Sequence, residues 1–507
     1  MNNTPQRSRA FSLTAAALGI TLGASVLAAC GGSDSGSGSA DKLVVGTTIS
    51  IGQNNPLTVM QYKTVQHNAF DGLVRATPEG EIEPRLATEW NQVDDTTWEF
   101  KLREGVKFHD GSELTAEDVA FSINTVAAEG SSSPLKPLVL DFKSVEVVDE
   151  GTVRITTAGA NATFLKTISQ LSVVPKAAYE KAGADAFGQA PIGSGPYKVA
   201  AIDGDQKVTL EAFDDFWGEK AKTKTVELQY FADGNALSAA LESGQLDVAH
   251  ELPPTALKTL EGNSDFVVES GYAGNQNMIT FNSTRGVFKD EAVREAANMA
   301  IDAQALIGAL TYGKGLLEDG QLPIEGIFGY TSEIARPAFD LDGAKAKLKA
   351  AGAVGAKVTI AGPSLYKPLL EAVAAQLSEA GFKPTVQAQE ISVWLDGLRN
   401  GSTADVFYKG VSDSGFFDAD RSLSQLARGE KAMVKDETFS KLYQAQRTEM
   451  DTEKRAEAIY DASKYVAEKD FVLWTYGRPS VNAHADEVSG LSFDNGLMLL
   501  LDDAVKK

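Results

Sequence analysis

Histidine is the residue type in this 507-residue chain that first suggests catalysis or metal binding, because a neutral imidazole serves both purposes. The four histidines are His67, His109, His250 and His484. No two of them have the spacing of a metal pair. His250-Glu251 begins like a zinc-protease motif, but Pro253-Pro254 breaks a helix there and no second histidine follows. His109 precedes Asp110-Gly111, where a role in a turn is the better prediction.

Nucleophiles and phosphate-binding loops are equally hard to find. No serine occupies the centre of a Gly-x-Ser-x-Gly elbow. Gly193-Ser194-Gly195 precedes Pro196-Tyr197, which predicts the start of a strand and offers no helix N-terminus to a phosphate. Paired carboxylates are too common in so acidic a chain to single out a site. These patterns predict that the protein is not an enzyme and holds no metal ion and no cofactor.

The single cysteine, Cys30, follows a pattern that predicts a covalent modification. Arg7 and Arg9 precede an apolar stretch over residues 11–29, which ends in Leu27-Ala28-Ala29 immediately before the cysteine. A basic segment, an apolar segment and small residues at a cleavage site are typical of a secretory signal. A cysteine directly after that site resembles a bacterial lipoprotein signal, which implies cleavage before Cys30 and diacylglycerol on its sulfur.

The alternative for Cys30 is a small buried residue in an uncleaved helix. The Gly/Ser-rich run over residues 31–40 disfavours it, because such a sequence cannot continue a helix. We therefore predict a signal peptide over 1–29 and a flexible tether over 30–40. No later apolar run approaches the length of a membrane span. The expected location is extracytoplasmic, anchored to the cell membrane by the lipid on Cys30.

Composition limits the remaining possibilities. The formal net charge is −22, with 43% hydrophobic and 23% charged residues, as in an ordinary globular protein long enough for two or more hydrophobic cores. Such an acidic surface repels nucleic acid and anionic lipid, so we expect no nucleic-acid partner. With Cys30 modified, the folded part has no intramolecular disulfide and depends on packing for its stability.

The first half of the chain is predicted to be rich in strands. Residues 42–48 are continuously apolar enough for a buried strand, and Thr97–Leu102 alternates as a half-buried strand does. A strand pair is predicted over 145–155, around a turn. Thr115 begins a helix, since its side chain can cap while Asp118 occupies the third helical position.

The second half has a different pattern, which alternates strands and helices. The predicted order is strand 358–360, helix 365–377, strand 385–388, helix 392–399 and strand 405–408. This β-α-β-α-β order requires parallel pairing with helices on the sheet faces. Residues 471–474 predict a late strand that returns to the first half. We infer two α/β lobes joined by a hinge, with a ligand cleft between them.

A set of motifs in a fixed order resembles one known family. The motifs are Asp71–Val74, Pro84–Trp90, Trp98–Gly111, Thr115–Ser122, Gly193–Tyr197, Asp215–Gly218, Leu241–Asp247, Phe281–Asn282, Val293–Ala296 and Ala300–Asp302. Together they resemble the family 5 solute-binding proteins, the peptide- and nickel-binding components of bacterial ABC importers. We interpret most of these residues as turn formers or core rather than ligand contacts, so they identify the fold more than the function.

The resemblance implies a two-lobed periplasmic-binding-protein-like fold, type II and cluster C-like, with mixed sheets and a hinge. The expected divisions are lobe I over 41–283, a β-rich subdomain within it at about 86–185, lobe II over 284–471, and a return to lobe I over 472–507. The lobes would close over a solute and present the closed form to ABC permease subunits. We expect a monomer.

The stretch Gly410–Ala419 corresponds to the loop in which peptide-binding relatives hold the peptide ammonium group on an aspartate. Val411 replaces the family's tryptophan there and Ala419 its proline, so the resemblance leaves both Asp413 and Asp418 as candidates for the amine anchor.

Near Tyr366 the resemblance is also incomplete. The tyrosine matches the family, but the arginine that holds the terminal carboxylate in dipeptide binders is absent, and Lys367 could act only as a point charge. Trp394, Phe416 and Phe417 are further ligand-binding candidates, with core packing as their alternative. We predict capture of an oligopeptide. An oligosaccharide or a metal chelate as solute, or a tethered sensor without transport, stay open.

Overall fold

The computed structural model describes residues 41–59, 64–77, 81–131, 133–412, 416–427, 433–494 and 498–507. The predicted signal peptide over 1–29, the tether over 30–40 with Cys30, and Asp413 lie outside the described residues. Within the described ranges, no helix is both long and apolar enough to cross a membrane.

The described residues form an α/β structure. The strands are β1 (Lys42–Thr47), β2 (Val74–Ala76), β3 (Ile82–Pro84), β4 (Ala87–Asp94), β5 (Thr97–Leu102), β6 (Phe142–Asp149), β7 (Thr152–Thr157), β8 (Tyr197–Asp203), β9 (Lys207–Ala212), β10 (Thr225–Tyr230), β11 (Val248–His250), β12 (Phe266–Gln276), β13 (Ile279–Phe281), β14 (Leu316–Leu317), β15 (Lys357–Pro363), β16 (Lys383–Gln389), β17 (Val406–Tyr408), β18 (Val411–Ser412), β19 (Val472–Leu473), β20 (Tyr476–Ala485), β21 (Val488–Ser489), β22 (Ser492–Asp494), β23 (Met498–Leu500) and β24 (Val505–Lys506). The helices are α1 (Thr64–Ala69), α2 (Ala116–Ala127), α3 (Phe164–Ile168), α4 (Lys176–Ala182), α5 (Ala184–Gln189), α6 (Gly234–Glu242), α7 (Leu257–Leu260), α8 (Glu291–Met299), α9 (Ala303–Thr311), α10 (Leu341–Ala350), α11 (Lys367–Ala380), α12 (Ile391–Asn400), α13 (Asp420–Ala427), α14 (Glu437–Thr448) and α15 (Thr452–Glu468).

The larger sheet has the strand order β18-β12-β20-β11-β1-β10-β9-β8, and β14 pairs with β20. β1 is parallel to both β10 and β11, whereas the outer pairs are antiparallel, so the sheet is mixed. Leu43, Val45 and Leu228 in its centre are fully buried. The carboxyl ends of β1 and β11 therefore lie side by side, where sheets of this kind bind ligands.

A four-stranded antiparallel sheet, β4-β5-β7-β6, belongs to the same hydrophobic core as the larger sheet. The strands predicted at 97–102 and 145–155 are confirmed as β5 and as parts of β6 and β7. The predicted start of α2 is also confirmed: Thr115 accepts from the Asp118 N–H, and the Asp118 carboxylate accepts from the Thr115 N–H. Local rules of capping and alternation thus account for this region.

The smaller sheet has the order β16-β15-β17-β13-β19. β15 is parallel to β16 and β17, which confirms the parallel pairing predicted from the β-α-β-α-β order. Leu370, Val373 and Leu377 of α11 are fully buried against this sheet. Leu365 does not belong to that face: it is 79% exposed, because a 3₁₀ turn over Ser364–Tyr366 precedes the helix. The prediction that the helical face begins at Leu365 is therefore wrong.

Among the described residues the chain passes between the two sheets at several places, which include the step from β17 to β18 across residues 408–411. It leaves β12 in the larger sheet and enters β13 in the smaller sheet across residues 276–279, and it returns from β19 to β20 across residues 473–476. The late strand predicted at 471–474 is β19, which pairs with β13 in the smaller sheet rather than with the first half. The strand that returns to the larger sheet is β20. Two adjacent crossings of this kind form a natural hinge.

Candidate functional site

Residues from both sheets meet where the chain crosses between them. We call Asn277, Tyr366, Tyr408, Tyr476 and Arg478 the crossing cluster. The Tyr366 and Tyr408 rings stack with centroids 4.4 Å apart and planes 24° apart. The Arg478 guanidinium, from β20 of the larger sheet, lies 5.0 Å from the centroid of Tyr366, which precedes α11 in the smaller-sheet region. An aromatic wall and a cation thus face each other across the two sheets.

Hydrogen bonds fix the orientation of this cluster. The Tyr408 hydroxyl donates to Oδ1 of Asn277 at 3.2 Å, and Nδ2 of Asn277 donates to the Tyr476 carbonyl at 2.9 Å. Burial raises the pKa of Tyr408 well above its usual value and that of Tyr476 to about 12, so both stay neutral donors. The buried Tyr408 and Tyr476 thus support Tyr366 and Arg478, which are only half-buried at the crossing.

Trp394 extends the same wall. Its indole Nε1 donates to the Tyr408 carbonyl at 2.8 Å, and its half-buried ring packs against the core of the smaller sheet. Tyr366 and Trp394 are thus the two predicted ligand-binding residues that the structure places around Tyr408. Tyr408 itself is fully buried, in keeping with its interpretation as core.

Phe416 and Phe417 lie in the interior of a different region. Phe416 is 5% exposed and Phe417 is fully buried, packed with Ile324, Ile327 and Met498. Phe417 adopts a left-handed backbone with φ of 50°, which costs a non-glycine residue energy and must be stabilised by its surroundings. The Lys166 ammonium provides part of this stabilisation, because it donates to the Phe417 carbonyl at 2.8 Å.

Asp418 is fully buried in an ion pair. Arg455 donates to both carboxylate oxygens, at 2.8 and 2.6 Å, and the Lys166 ammonium lies 3.4 Å from Oδ2. Burial alone would raise the pKa of Asp418, but the charge and hydrogen bonds of Arg455 lower it below the usual value. Its contacts hold two segments of the chain together and leave it no exposed oxygen. The amine-anchor prediction therefore stays a prediction for Asp413, which lies outside the described residues.

The Asp418 region also joins the α13–α15 region to α3 and to the start of β6 in the four-stranded sheet. We call Asp141, Lys166, Asp418, Arg447 and Arg455 the charged contact. Arg447 of α14 lies 3.5 Å from the carboxylate of Asp141, which precedes β6, and its carbonyl accepts from the Ala162 N–H at 2.8 Å. Lys166 is on α3, whereas Asp418 and Arg455 belong to the α13–α15 region. Attraction between opposite charges is strong here because all five groups are largely shielded from water.

Two further sites can be judged from the described residues. The ring of His109 lies 3.0 Å from the Gly195 carbonyl, and its other nitrogen accepts from the Gly193 N–H at 3.2 Å. The turn predicted at His109 is confirmed by the Gly111 N–H, which donates to the Phe108 carbonyl at 2.9 Å. Burial lowers the pKa of His109 to about 4, so the ring is neutral. Across the described ranges, no group of three or more His, Cys, Asp or Glu residues is arranged to hold a metal ion.

Sequence analysis overlooked Glu251, at the end of β11, as a functional candidate. It lies beside Ser480 and near Arg478 of the crossing cluster. The alternating polar residues Arg478, Ser480 and Asn482 in a strand of the larger sheet are the sequence signal that could have indicated a polar site there.

Two mixed sheets joined by neighbouring crossings, with a polar and aromatic junction between them, define a two-lobed ligand-binding protein. The chain belongs to the bacterial extracellular solute-binding proteins, family 5: residues 81–433 match the model of the family's middle region. It is therefore a binding protein and not an enzyme.

Individual proteins show the same similarity. The chain is 25% identical over 426 residues to di/tripeptide-binding protein 3 of Pseudomonas aeruginosa, covering 76% of this chain and 79% of the relative. It is 26% identical over 259 residues to the nickel-binding protein NikA of Staphylococcus aureus, and there it spans only 51% of the relative's length. The solved structure of the periplasmic binding protein DppA of Helicobacter pylori, in complex with the peptide STSA, superposes with a TM-score of 0.78 at 24% identity, covering 91% and 98% of the two chains. The predicted two-lobed fold is confirmed.

Proposed function

We propose that this protein captures an oligopeptide between its two lobes and delivers it to an ABC permease. The observation that carries the proposal is the crossing cluster, in which Arg478 of the larger sheet faces the stacked rings of Tyr366 and Tyr408 from the smaller sheet. A solute seated against this contact would touch both lobes at once. The di/tripeptide-binding relative, which aligns with three quarters of the chain, supports a peptide as the solute.

Solute-driven closure follows from where these residues lie. A ligand shifts an open–closed equilibrium only when it binds one state more tightly than the other. Contacts that require both lobes exist only in the closed state, so a solute held by Tyr366 and Arg478 favours closure. The bending would occur at residues 276–279 and 473–476, close to the divisions at 283/284 and 471/472 that we propose between lobe I, lobe II and the returning segment.

The experiment that tests this proposal is a thermal-shift screen of the full chain, purified in detergent and stripped of bound solute by partial unfolding. The panel holds di- to octapeptides, oligosaccharides and nickel–histidine chelates. A cleft ligand raises Tm by mass action. A peptide hit, lost in a Tyr366→Ala variant, supports the proposal. A sugar or chelate hit with no response to peptides would retain the binding role and overturn the peptide assignment.

Transport needs a separate measurement. Deletion of the gene should abolish uptake of a peptide that binds the purified protein, and the intact gene should restore it. If uptake is unchanged while the protein still binds the peptide, the protein acts as a tethered sensor instead of a transport receptor.

We also propose that Cys30 carries a lipid that tethers the protein, as a monomer, to the outer face of the cytoplasmic membrane. The support is the signal pattern that ends at Cys30. Mass spectrometry of the mature N-terminus should find a diacylglyceryl cysteine as its first residue. A Cys30→Ser variant should accumulate as an uncleaved or soluble form. Continued processing and lipid attachment in that variant would refute the proposal.

A further inference from the structure

Glu251 has an unusual backbone for its residue type. Its φ is 63°, in the left-handed region that side chains other than glycine and asparagine rarely adopt. Three hydrogen bonds hold it there: its N–H donates to Oδ1 of Asn482 at 3.0 Å, its carbonyl accepts from the Thr48 hydroxyl at 3.1 Å, and its Oε1 accepts from the Ser480 hydroxyl at 2.8 Å. Strain that is retained by several neighbours is characteristic of functional positions.

The strand that holds Glu251 is polar on one face although it lies inside the sheet. β20 is flanked by β12 and β11, and Arg478, Ser480 and Asn482 share one face because alternate residues of a strand do. Ser480 and Asn482 are each 1% exposed. Burying polar side chains costs free energy unless their hydrogen bonds are made. Here those bonds serve to fix the position of the Glu251 backbone and carboxylate.

The carboxylate of Glu251 has the Arg478 charge near it but no direct charged partner among the described residues. In the part of the chain that the structure describes it forms no ion pair, and its hydrogen-bond donor is the neutral Ser480 hydroxyl. Burial raises the pKa of Glu251, and the nearby Arg478 charge opposes that rise. A partly buried carboxylate of this kind gains most from a cation that arrives with its ligand, because an opposite charge offsets the cost of desolvation.

Glu251 is positioned to meet a solute in the cleft. It follows the end of β11, beside the carboxyl end of β1, where the Thr48 hydroxyl reaches its carbonyl. From Glu251 the polar face of β20 leads through Ser480 to Arg478, whose guanidinium lies over Tyr366. These four residues form a continuous edge from the larger sheet to the smaller one.

We propose that Glu251 binds a cationic group of the solute, a primary ammonium or a guanidinium. This inference rests on the proposed capture of a solute in the cleft. It adds that the solute carries a positive charge where it meets Glu251. In a peptide the cation has two sources, the amino terminus and a lysine or arginine side chain. The two sources share the chemistry that a carboxylate recognises and are separated by the choice of probes.

The test is calorimetric titration of the full chain with four peptides: Ala-Ala-Ala, Ala-Lys-Ala and the N-acetylated form of each. Glu251→Gln keeps the shape and the acceptor for Ser480 but removes the charge. Glu269→Gln, on β12 with a 44% exposed side chain, removes the same charge elsewhere as the matched control. Glu251→Gln should weaken binding of the probes that carry the recognised cation at least tenfold, and binding of acetylated Ala-Ala-Ala less than twofold. Glu269→Gln should change the affinity for all four peptides less than twofold.

The pattern among the probes assigns the cation. If Glu251→Gln loses affinity only for the peptides with a free amino terminus, the terminal ammonium is the partner of Glu251. If it loses affinity only for the peptides that contain lysine, the lysine side chain is the partner. Equal weakening of all four probes by Glu251→Gln, or no weakening of any, would overturn the inference while the peptide function stands. If the wild type binds none of the peptides, spermidine replaces them as the cationic probe. Spermidine binding that is lost in Glu251→Gln would support the cation site although the peptide function had failed. No spermidine binding would overturn the inference.

A second variant separates recognition from folding. Glu251→Gly relieves the left-handed strain and should raise Tm, yet it should lose the preference for cationic probes in the same way as Glu251→Gln. A more stable protein with the preference intact would show that Glu251 has only a structural role.

Discussion

Asp418 and Glu251 are two acidic residues near the junction of the two lobes, and their environments differ in one respect. Asp418 receives two hydrogen bonds from Arg455 and lies 3.4 Å from the Lys166 ammonium, so the chain neutralises it. Among the described residues, the Glu251 carboxylate receives one hydrogen bond, from the neutral Ser480 hydroxyl. The pKa of Asp418 is lowered by its guanidinium partner despite burial, whereas burial raises that of Glu251.

The difference shows which acidic residue can recognise a ligand. A carboxylate whose oxygens are both bonded to a buried guanidinium loses that pairing if it turns to a solute. A carboxylate with unused hydrogen-bonding capacity loses nothing. Asp418 became a candidate because it lies in the stretch that corresponds to the family's ligand loop. Whether a carboxylate is already paired in the fold is a stronger criterion for ligand binding than its position in that loop.

The largest expected effect comes from breaking the ion pair of Asp418. Asp418→Asn leaves the buried Arg455 without its ion-pair partner and should lower the free energy of unfolding by about 3–5 kcal/mol. Urea denaturation measures this. Glu99→Gln is the control, because the Glu99–Arg154 pair has side chains 31% and 40% exposed and should cost about 1 kcal/mol or less. Equal losses in the two variants would contradict the structural role of Asp418.

A third carboxylate extends the comparison to pH. Glu318 is 4% exposed and accepts from the Thr475 N–H at 2.8 Å, at the crossing over residues 473–476. Burial raises its pKa to about 7, although the backbone hydrogen bond and Arg336 act against the rise. The folded state then holds the proton more tightly than the unfolded state. Stability should therefore fall as pH rises from about 4.5 to about 7, by up to roughly 3 kcal/mol from this group, and level off above.

Glu318→Gln removes that titration while keeping an acceptor for Thr475. The difference in unfolding free energy between variant and wild type should grow in favour of the variant as pH rises from 5 to 8. Urea titrations at intervals of half a pH unit measure it. A difference that is independent of pH would show that the pKa of Glu318 in the folded state is not raised into this range.

Lys166 tests whether the charged contact stabilises closure. Lys166→Met keeps the Asp418–Arg455 pair but removes the bond to the Phe417 carbonyl, and should cost about 1–3 kcal/mol. Because that bond joins residues of the proposed lobes I and II, small-angle scattering of the solute-free protein should give a larger radius of gyration for this variant. Lys198→Met, from an exposed pair with Glu211, should change neither quantity. An unchanged radius in Lys166→Met would mean that the contact does not influence opening.

The smallest effect is expected at Tyr366. Tyr366→Phe keeps the ring stacked on Tyr408 and beneath Arg478, and loses only a hydroxyl, so stability should change by about 1 kcal/mol or less. The affinity of Tyr366→Phe for a peptide ligand should change only a few-fold. Tyr366→Ala removes the aromatic ring and should weaken peptide binding more than tenfold. Calorimetric titration measures the affinity of both variants. Equal losses of affinity would show that the Tyr366 hydroxyl, and not the ring, contributes to peptide binding.

Features that depend on neighbours in the sequence were predictable. The capping of α2 by Thr115, the turn at His109 and the parallel order of β15, β16 and β17 follow from short-range rules of periodicity, caps and turns. The family follows from motifs that report turns and core in a fixed order. These signals are local, and tertiary contacts reinforce them.

The tertiary structure alone decided which charges are paired and which strand belongs to which sheet. Arg455 lies 37 residues from Asp418 in the sequence, and no spacing rule connects them. The strand at 471–474 joined the smaller sheet because β13 offered it an edge. Glu251 looked like the remnant of a failed zinc motif, yet Ser480 and Asn482, more than 200 residues away, hold it at the cleft. Periodicity identifies the buried face of an element, but the charge left for a ligand depends on partners that only the folded chain brings together.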